Sequence, residues 1–132
     1  MSDGSAEFRQ LANDLGRIAG HAVKDVDEVL KKGAQNVKEE MRADVRSSRH
    51  FSSKKKAGLE QSITYDSRYS LGTPRYEIGP DKNIGGGALG NIYYFGTSRG
   101  GGTGDIEKPL RSEEPRLTSA LEALAERWAG QI

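Results

Sequence analysis

The fold is decided by residues 21–48, which read HAVKDVDEVLKKGAQNVKEEMRADVRSS. This stretch contains no proline, and its apolar residues recur in steps of three and four, which places them on one stripe of a helix. They are Ala22, Val26, Val29, Leu30, Gly33, Val37, Met41 and Val45. A helix of this length spans roughly 42 Å, more than a small domain needs. One interpretation is a scaffold helix whose stripe covers a sheet, and the other adds that a helix of this length also reaches neighbouring subunits.

A shorter helical segment precedes this stretch within residues 1–20. Ser5 can cap a helix that presents Phe8, Leu11, Ala12 and Leu15 on one face. Gly16 and Gly20 stand at its end, so the sequence predicts a break or kink before residue 21. The alternative is one bent helix from Ser5 to Ser48.

The helical pattern disappears between Ser47 and Lys56, where a basic segment begins. This segment carries Arg46, Arg49, His50, Lys54, Lys55 and Lys56 with no acidic residue among them. One interpretation is a solvated, mobile loop, and the other is a loop that contacts DNA phosphates by charge. Phe51 is the one aromatic residue there, so stacking on bases is not indicated.

Alternation of apolar and polar residues follows within residues 57–110. Leu59, Gln61, Ile63 and Tyr65 share one face of a predicted strand, and Asp66 to Thr73 reads as a turn-rich connection. Residues 75–79 alternate again, and Pro80 ends the second strand because proline offers no N–H to a ladder. The two strands predict an antiparallel hairpin.

Glycine is concentrated between Gly72 and Gly104 and marks two long loops, residues 81–87 and 96–109. Residues 88–95 between them fit either a buried strand or a helical face. A last helix is predicted over residues 112–130, beginning at Ser112, with two acidic residues and a proline in its first turn. Its apolar stripe consists of Leu117, Leu121, Leu124 and Trp128, and Gly130 ends it.

Motifs for chemistry are weak or missing. Gly85, Gly87 and Gly90 spell G-x-G-x-x-G, but no long helix opens at them inside a parallel βαβ unit, as a dinucleotide site requires. His21 and His50 lie far apart, and the chain has no cysteine. We therefore assign no catalytic residue, no cofactor and no metal.

Composition limits the partners. The 132 residues are expected to form a single domain (1–132), with a modest core because only 34% are apolar. A net charge of +1 creates no global attraction to nucleic acid or membrane, and no apolar run approaches the ~20 residues of a membrane span. We expect no membrane contact and no small-molecule substrate. Glycine-rich loops and unpaired strand edges suit packing against copies of the same chain.

One ordered series of short motifs resembles a known family. After the long charged helix come Gly58-Leu59 with Ser62-Ile63, then Glu77-Ile78-Gly79, Tyr94-Phe95-Gly96-Thr97, Pro109-Leu110 and a final helix. The series is similar to the pattern "G-L-x-x-S-I", "x-I-G", "V-E-F-G-T" and "P-F-L" of the head–tail connector or tail-completion (neck) proteins of long-tailed bacteriophages. Tyr94 stands where that family usually has glutamate, and the loop from Ser98 to Lys108 is longer and richer in glycine.

The resemblance implies an α+β fold: a long N-terminal helix packed on a small antiparallel sheet, long Gly-rich loops and a C-terminal helix. It favours the helical interpretation of residues 88–95. It also implies a non-enzymatic virion part, made in the host cytoplasm and placed at the head–tail junction. There it would form a homo-oligomeric ring of six copies around the DNA channel. Its neighbours would be the stopper or adaptor and the tail terminator or tail tube.

Two groups of residues are candidates for contacts in such a ring. The subunit contact is expected at Tyr94, Phe95, Gly96, Thr97, Gly100, Gly101 and Gly102. The channel DNA is expected to face Arg46, Arg49, Lys54, Lys55 and Lys56. Within the same class, a tail terminator or stopper subunit is the alternative. Outside it, the alternatives are a small DNA-binding module that uses residues 46–56, an enzyme with an unrecognised site, and a toxin, antitoxin or host-interaction protein.

Overall fold

The structure, a computed structural model, describes residues 4–49, 51–70, 73–96 and 101–132. In chain order its elements are α1 (Ser5–Ser47), α2 (Ser53–Ser62), β1 (Ile63–Ser70), β2 (Thr73–Pro80), α3 (Leu89–Phe95) and α4 (Lys108–Ala129). The long first helix, the two-stranded antiparallel sheet and the last helix confirm the predicted α+β class.

Helix α1 runs through 43 residues without interruption, roughly 65 Å. The predicted break at Gly16 and Gly20 is wrong, and the chain is helical through both. A side chain added at either glycine would meet nothing within 4 Å, so no neighbouring element forces a turn there. A glycine inside a helix costs only about 1 kcal/mol, which the flanking turns can offset. Those turns include a 2.7 Å ion pair between Arg17 and Asp14.

The hydrophobic core lies under the second half of α1. Val37, Met41 and Val45 project from α1 as the apolar stripe predicts, and all three are buried. They pack with Leu59 of α2, Ile63 of β1, and Tyr93 and Tyr94 of α3 in one buried cluster. The seven-residue helix α3 agrees with the helical interpretation of residues 88–95.

Helix α2 lies where the sequence predicted part of a basic loop and the first residues of a strand. Lys54, Lys55 and Lys56 lie in its first turn, not in a loop, and the predicted strand from Leu59 is helical up to Ser62. The hydroxyl of Ser52 accepts a hydrogen bond from the backbone N–H of Lys55 (3.4 Å) and begins the helix. Leu59 and Ser62, three residues apart, are both fully buried, so the helical spacing decides which side faces the core.

The hairpin is confirmed, with the register running from Ile63 opposite Pro80 to Ser70 opposite Thr73. The predicted turn-rich connection from Asp66 to Thr73 is wrong, because β1 continues to Ser70. Leu71 and Gly72 lie outside the described residues. Polar residues of β1 are accommodated by their cross-strand neighbours, as where Arg68 Nε lies 3.8 Å from Glu77 Oε2.

Helix α4 begins at Lys108, so the predicted start at Ser112 is wrong, and Pro109 instead of Pro115 occupies the first turn. The reason is a cap further upstream. Asp105 Oδ1 accepts hydrogen bonds from the backbone N–H groups of Glu107 (3.0 Å) and Lys108 (3.1 Å). An arginine one turn into the helix, Arg111, also pairs with Asp105 (2.5 Å) and holds the pKa of Asp105 below its ordinary value.

Polar contacts fix α4 along α1 at three heights. At one end, Lys108 Nζ lies 2.8 Å from Asp44 Oδ1. In the middle, Asn36 Nδ2 donates to Glu113 Oε1 (3.0 Å). At the other end, the indole N–H of Trp128 donates to an oxygen of Asp25 (3.1 Å). The predicted stripe of α4 faces α1, with Leu124 buried and Leu117, Leu121 and Trp128 half-buried.

Candidate assembly surfaces

The predicted contact segment divides into a buried and an exposed part. Tyr94 is buried, and its ring meets that of Tyr93 edge to face, with centroids 4.8 Å apart. Phe95, the next residue, is 67% exposed at the end of α3. Gly96 follows with φ of 80°, a left-handed conformation that favours glycine. Thr97 and Gly100 of the predicted segment lie outside the described residues.

The rest of this glycine-rich loop packs on its own chain. The backbone N–H groups of Thr103 (2.8 Å) and Gly104 (2.7 Å) both donate to the carbonyl of Tyr93. A Cβ on Gly102 would overlap the carbonyl of Tyr94, and one on Gly104 would overlap the ring of Tyr93. Gly101 has open space around it. Close approach within the subunit therefore accounts for Gly102 and Gly104, while Gly101 and Phe95 remain available to a neighbour.

The first glycine-rich loop, residues 81–87, also packs on its own chain. Gly86 has φ of 89° and lies against the backbone of Gly58 in α2, which leaves no room for a Cβ. A Cβ on Gly87 would overlap the carbonyl of Asp81. These glycines seat the loop between the hairpin and α3 on the subunit's own core.

The hydroxyl of Tyr94 is a polar atom inside this core. It is buried and has no hydrogen-bond partner among the described residues. Burial raises the pKa of Tyr94 well above its ordinary value. Burial also raises the pKa of Tyr93, to which the nearby carboxylate of Asp44 adds. Both phenols are therefore neutral at physiological pH and act as packing groups.

The predicted DNA-facing residues do not form one uniform group. Arg46 forms an ion pair with Glu60, with Arg46 Nε at 3.0 Å from the carboxylate, and this hydrogen bond raises the pKa of Arg46. Lys56 Nζ donates to the carbonyl of Arg46 (3.3 Å). Arg49, Lys54 and Lys55 are exposed.

Two of the exposed cations stand at the N-terminus of α2. Lys54 and Lys55 lie in a first turn that contains no acidic residue. The N-terminal end of a helix carries partial positive charge, so lysines there are unfavourable by a few tenths of a kcal/mol unless an anion is near. The arrangement concentrates positive potential at one corner of the subunit. Phosphate is one anion that such a corner attracts.

The two edges of the hairpin differ in their capacity to pair with another strand. The N–H of Asp81 donates to the carbonyl of Ser62 (2.8 Å), so these two residues form a hydrogen-bonded pair that continues the register next to Ile63 opposite Pro80. Because hydrogen-bonded and non-hydrogen-bonded pairs alternate, residues 74, 76, 78 and 80 of β2 point their backbone groups outward. Two of these are Pro74 and Pro80, which have no N–H. The outer edge of β2 is therefore a poor template for strand addition.

The outer edge of β1 is more suitable. By the same alternation, Ile63, Tyr65, Ser67 and Tyr69 point their backbone groups away from β2. The carbonyl of Ile63 accepts hydrogen bonds from the guanidinium of Arg42, at 2.8 and 3.1 Å. Tyr65, Ser67 and Tyr69 extend beyond that contact and all have an N–H to donate.

An apolar groove of about 400 Å³ lies where α1, β2 and α4 meet. Its lining is mostly aliphatic and aromatic: Leu30, Ala34 and Val37 of α1, Pro74, Tyr76 and Ile78 of β2, and Leu110 and Leu117 of α4. Tyr76 donates its hydroxyl to Asp27 Oδ1 (2.7 Å), which holds β2 over α1. Burial and this bond to a carboxylate raise the pKa of Tyr76 to about 12.

Three charged residues, Arg75, Glu113 and Glu114, also line the groove. Glu113 is buried, accepts a hydrogen bond from Asn36 (3.0 Å) and lies 2.7 Å from Arg116 as an ion pair. Its contacts therefore link α4 to α1. Sequence patterns did not point to this groove, because its walls come from three elements that are distant in the chain.

Sites for other chemistry are not found in the part of the chain that the structure describes. It contains no group of three or more His, Asp or Glu side chains placed to hold a metal ion. His21 lies outside any such group, with Nδ1 3.0 Å from Asp25, and His50 is not among the described residues. Gly90 lies inside the seven-residue helix α3, so no long helix opens at the G-x-G-x-x-G glycines. None of the described helices combines the length and apolar character needed to cross a membrane.

Comparison with protein families supplies the class. The model of a family described as "Bacteriophage HK97-gp10, putative tail-component" matches residues 9–93, well over half of the chain. The chain belongs to this family. The matched range of this HK97-gp10-like protein runs from α1 to Tyr93 of α3 and includes the core cluster up to that residue. Searches of curated proteins and of solved structures gave no significant match.

Membership confirms the resemblance to phage neck and tail-completion proteins that the sequence motifs indicated. As a phage tail component, the HK97-gp10-like chain is part of the virion and contacts other virion proteins. Helix α4 and the loop before it lie beyond the matched range.

Proposed function

We propose that this chain is a tail-completion protein: a subunit of a ring in the phage neck that joins the head connector to the tail tube. The observation that carries the proposal is the family match over residues 9–93, which spans the framework of α1, α2, the hairpin and most of α3. The chain acts by binding its neighbours and sister copies, and it performs no catalysis.

Two features of the surface support a binding role. The groove between α1, β2 and α4 is lined mostly by apolar side chains, and the buried one of its two carboxylates, Glu113, is already engaged with Asn36 and Arg116. Phe95, the residue after the buried Tyr94, exposes a large aromatic ring. Exposed apolar surface rimmed by polar residues is typical of protein contact sites.

Deleting the gene from the phage that carries it tests the role. Full heads and finished tails that accumulate unjoined are the expected result, and supplying the intact gene in trans restores joined particles. Tails of uncontrolled length would instead indicate a tail terminator. Heads that lose their DNA would indicate a stopper. Normal joined particles after deletion would overturn the proposal.

We also propose that the exposed cations at the start of α2 face the DNA channel. Lys54 and Lys55 at a helix N-terminus form the positive corner described above, and the exposed Arg49 precedes them in sequence. Reversing Lys54 and Lys55 to glutamate is expected to impair DNA retention or ejection. The matched control reverses Lys31 and Lys32, which are exposed on α1. Equal behaviour of the two double variants would contradict the channel assignment.

A further inference from the structure

The apolar stripe of α1 continues beyond the part of the helix that the subunit covers. Phe8, Leu11 and Leu15 are 74%, 40% and 49% exposed, although steps of three and four residues connect them to the buried stripe further along α1. Exposed aromatic and aliphatic side chains on one face of a helix are typical of a surface that a partner covers.

The groove between α1, β2 and α4 has dimensions that suit this face. Its floor on α1 runs from Leu30 to Val37, two helical turns or roughly 10 Å. Phe8 and Leu15 are separated by the same number of residues and so by the same roughly 10 Å. An amphipathic helix that lies in a groove typically uses anchors at this spacing. About 400 Å³ of apolar space is available for them.

The face and the groove cannot meet within one molecule. Both lie on the uninterrupted helix α1, and Phe8 is roughly 33 Å from Leu30 along its axis. The Phe8–Leu15 face can therefore enter only the groove of another copy. Each copy carries one such face and one such groove, so faces and grooves are present in equal number.

The charge of the N-terminal part of α1 favours a protein occupant over DNA or lipid. Residues 5–20 carry Glu7, Arg9, Asp14 and Arg17, two acidic and two basic side chains. Asp14 is buried against Arg17 at 2.7 Å. The segment thus has no net charge to attract phosphates.

We propose that the Phe8–Leu15 face of one copy docks into the α1–β2–α4 groove of the next copy. We propose this contact as heterologous, with each face in the groove of the next copy, so that it closes into a ring or continues as a filament; a reciprocal exchange would instead end at a dimer. This inference rests on the proposed function for its ring, and it names the two surfaces that would form each contact.

The chain contains no cysteine, so thiol cross-linking can test the pairing of the surfaces directly. Leu11→Cys on the helix face and Leu110→Cys, 54% exposed at the groove, are made in separate chains and mixed with a short bifunctional thiol reagent. The control pairs Leu110→Cys with Asn13→Cys, an exposed position away from the apolar face of α1.

Cross-linked dimer from Leu11→Cys with Leu110→Cys is expected at five or more times the control yield. A single chain with both substitutions is expected to give a ladder of covalent oligomers that ends at the size of the ring. Equal yields with the control, or a double variant cross-linked only within one chain, would overturn the inference. Capture of the Leu11→Cys thiol by another virion protein in assembled particles would also overturn it.

Complementation of the deleted gene separates this inference from the proposed function. Leu11→Asp is expected to fold, because its side chain is exposed, and to lose head–tail joining, while Asn13→Asp retains it. If Leu11→Asp joins heads to tails normally and the cross-link fails, the docking inference is wrong and the neck function stands. If the cross-link forms but deletion leaves joined particles, the neck function is wrong and the docking contact stands.

Discussion

The use of Gly104 for packing inside the subunit gives a direct prediction. A Cβ at this position would overlap the ring of Tyr93, which is buried and in contact with the rings of Tyr94 and Phe51. Those neighbours prevent the Tyr93 ring from turning aside. Gly104→Ala must therefore displace the loop, the ring or both.

The expected loss of stability follows from those contacts. Inserting a methyl group into a packed core typically costs about 1–3 kcal/mol. Displacing the loop also weakens the two hydrogen bonds that Thr103 and Gly104 donate to the carbonyl of Tyr93, each contributing about 1 kcal/mol. Alanine restricts the unfolded chain and returns about 0.4–1 kcal/mol. We expect the free energy of unfolding to fall by about 2–3 kcal/mol.

Gly101→Ala is the matched control, because a Cβ there meets nothing within 4 Å. We expect between no change and a gain of about 1 kcal/mol from the restricted unfolded chain. Both variants are compared with the parent chain by urea denaturation followed by circular dichroism. Similar losses in the two variants, or a loss below about 0.5 kcal/mol in Gly104→Ala, would refute the packing argument.

Three further predictions concern other parts of the subunit. Tyr94→Phe removes a buried hydroxyl that has no partner among the described residues, so we expect unchanged stability or a gain of up to about 1 kcal/mol in urea denaturation. The pKa of Asp25 lies below its ordinary value of 3.8, chiefly because Trp128 donates a hydrogen bond to it. The ionised carboxylate of Asp25 therefore contributes fully to stability above pH 3.8, and this contribution is lost as the pH falls through the lowered pKa. Asp25→Asn should remove this pH dependence from acid titrations followed by Trp128 fluorescence. Amide hydrogen exchange should be faster in residues 5–20 of the free subunit than in residues 33–45, and equal protection would contradict the uncovered state of the N-terminal face.

The long helix and the hairpin were predictable because their patterns are long or sharply ended. The stripe of α1 repeats over many turns, and no strand pattern fits it. The second strand combines strict alternation over residues 75–79 with a proline at its end. Local periodicity therefore identified α1 and the hairpin, to which α2 and α3 add the remaining residues of the core.

Element boundaries failed where a local side-chain cap decided them. Residues 59–65 fit a strand by alternation, yet Leu59 and Ser62 face the core three residues apart in a helix that Ser52 caps. The start of α4 depends on Asp105, whose carboxylate reaches backbone N–H groups two and three residues later. Each boundary depends on a side-chain hydrogen bond, and α2 also on burial, which residue spacing alone does not encode.

The candidate surfaces were only partly accessible to sequence reasoning. Glycine density correctly marked unusual loops, but the same composition serves flexible contact loops and close packing within a subunit. Gly102 and Gly104 belong to the second type, which required the position of α3 to recognise. The groove joins Leu30, Pro74 and Leu110, and no motif links residues so far apart in the chain.

The N-terminal part of α1 shows why a partner belongs in the description of this fold. An isolated helical segment of about 16 residues is marginal in water, and two glycines weaken it by about 2 kcal/mol. Phe8 is nevertheless placed on the exposed face of this segment, where burial would contribute about 1.5–3 kcal/mol. A surface that covers Phe8 would therefore add to the stability that the segment takes from the rest of α1. Under the docking proposal, the copy whose groove receives this face also stabilises the first turns of α1, which couples the order of α1 to assembly.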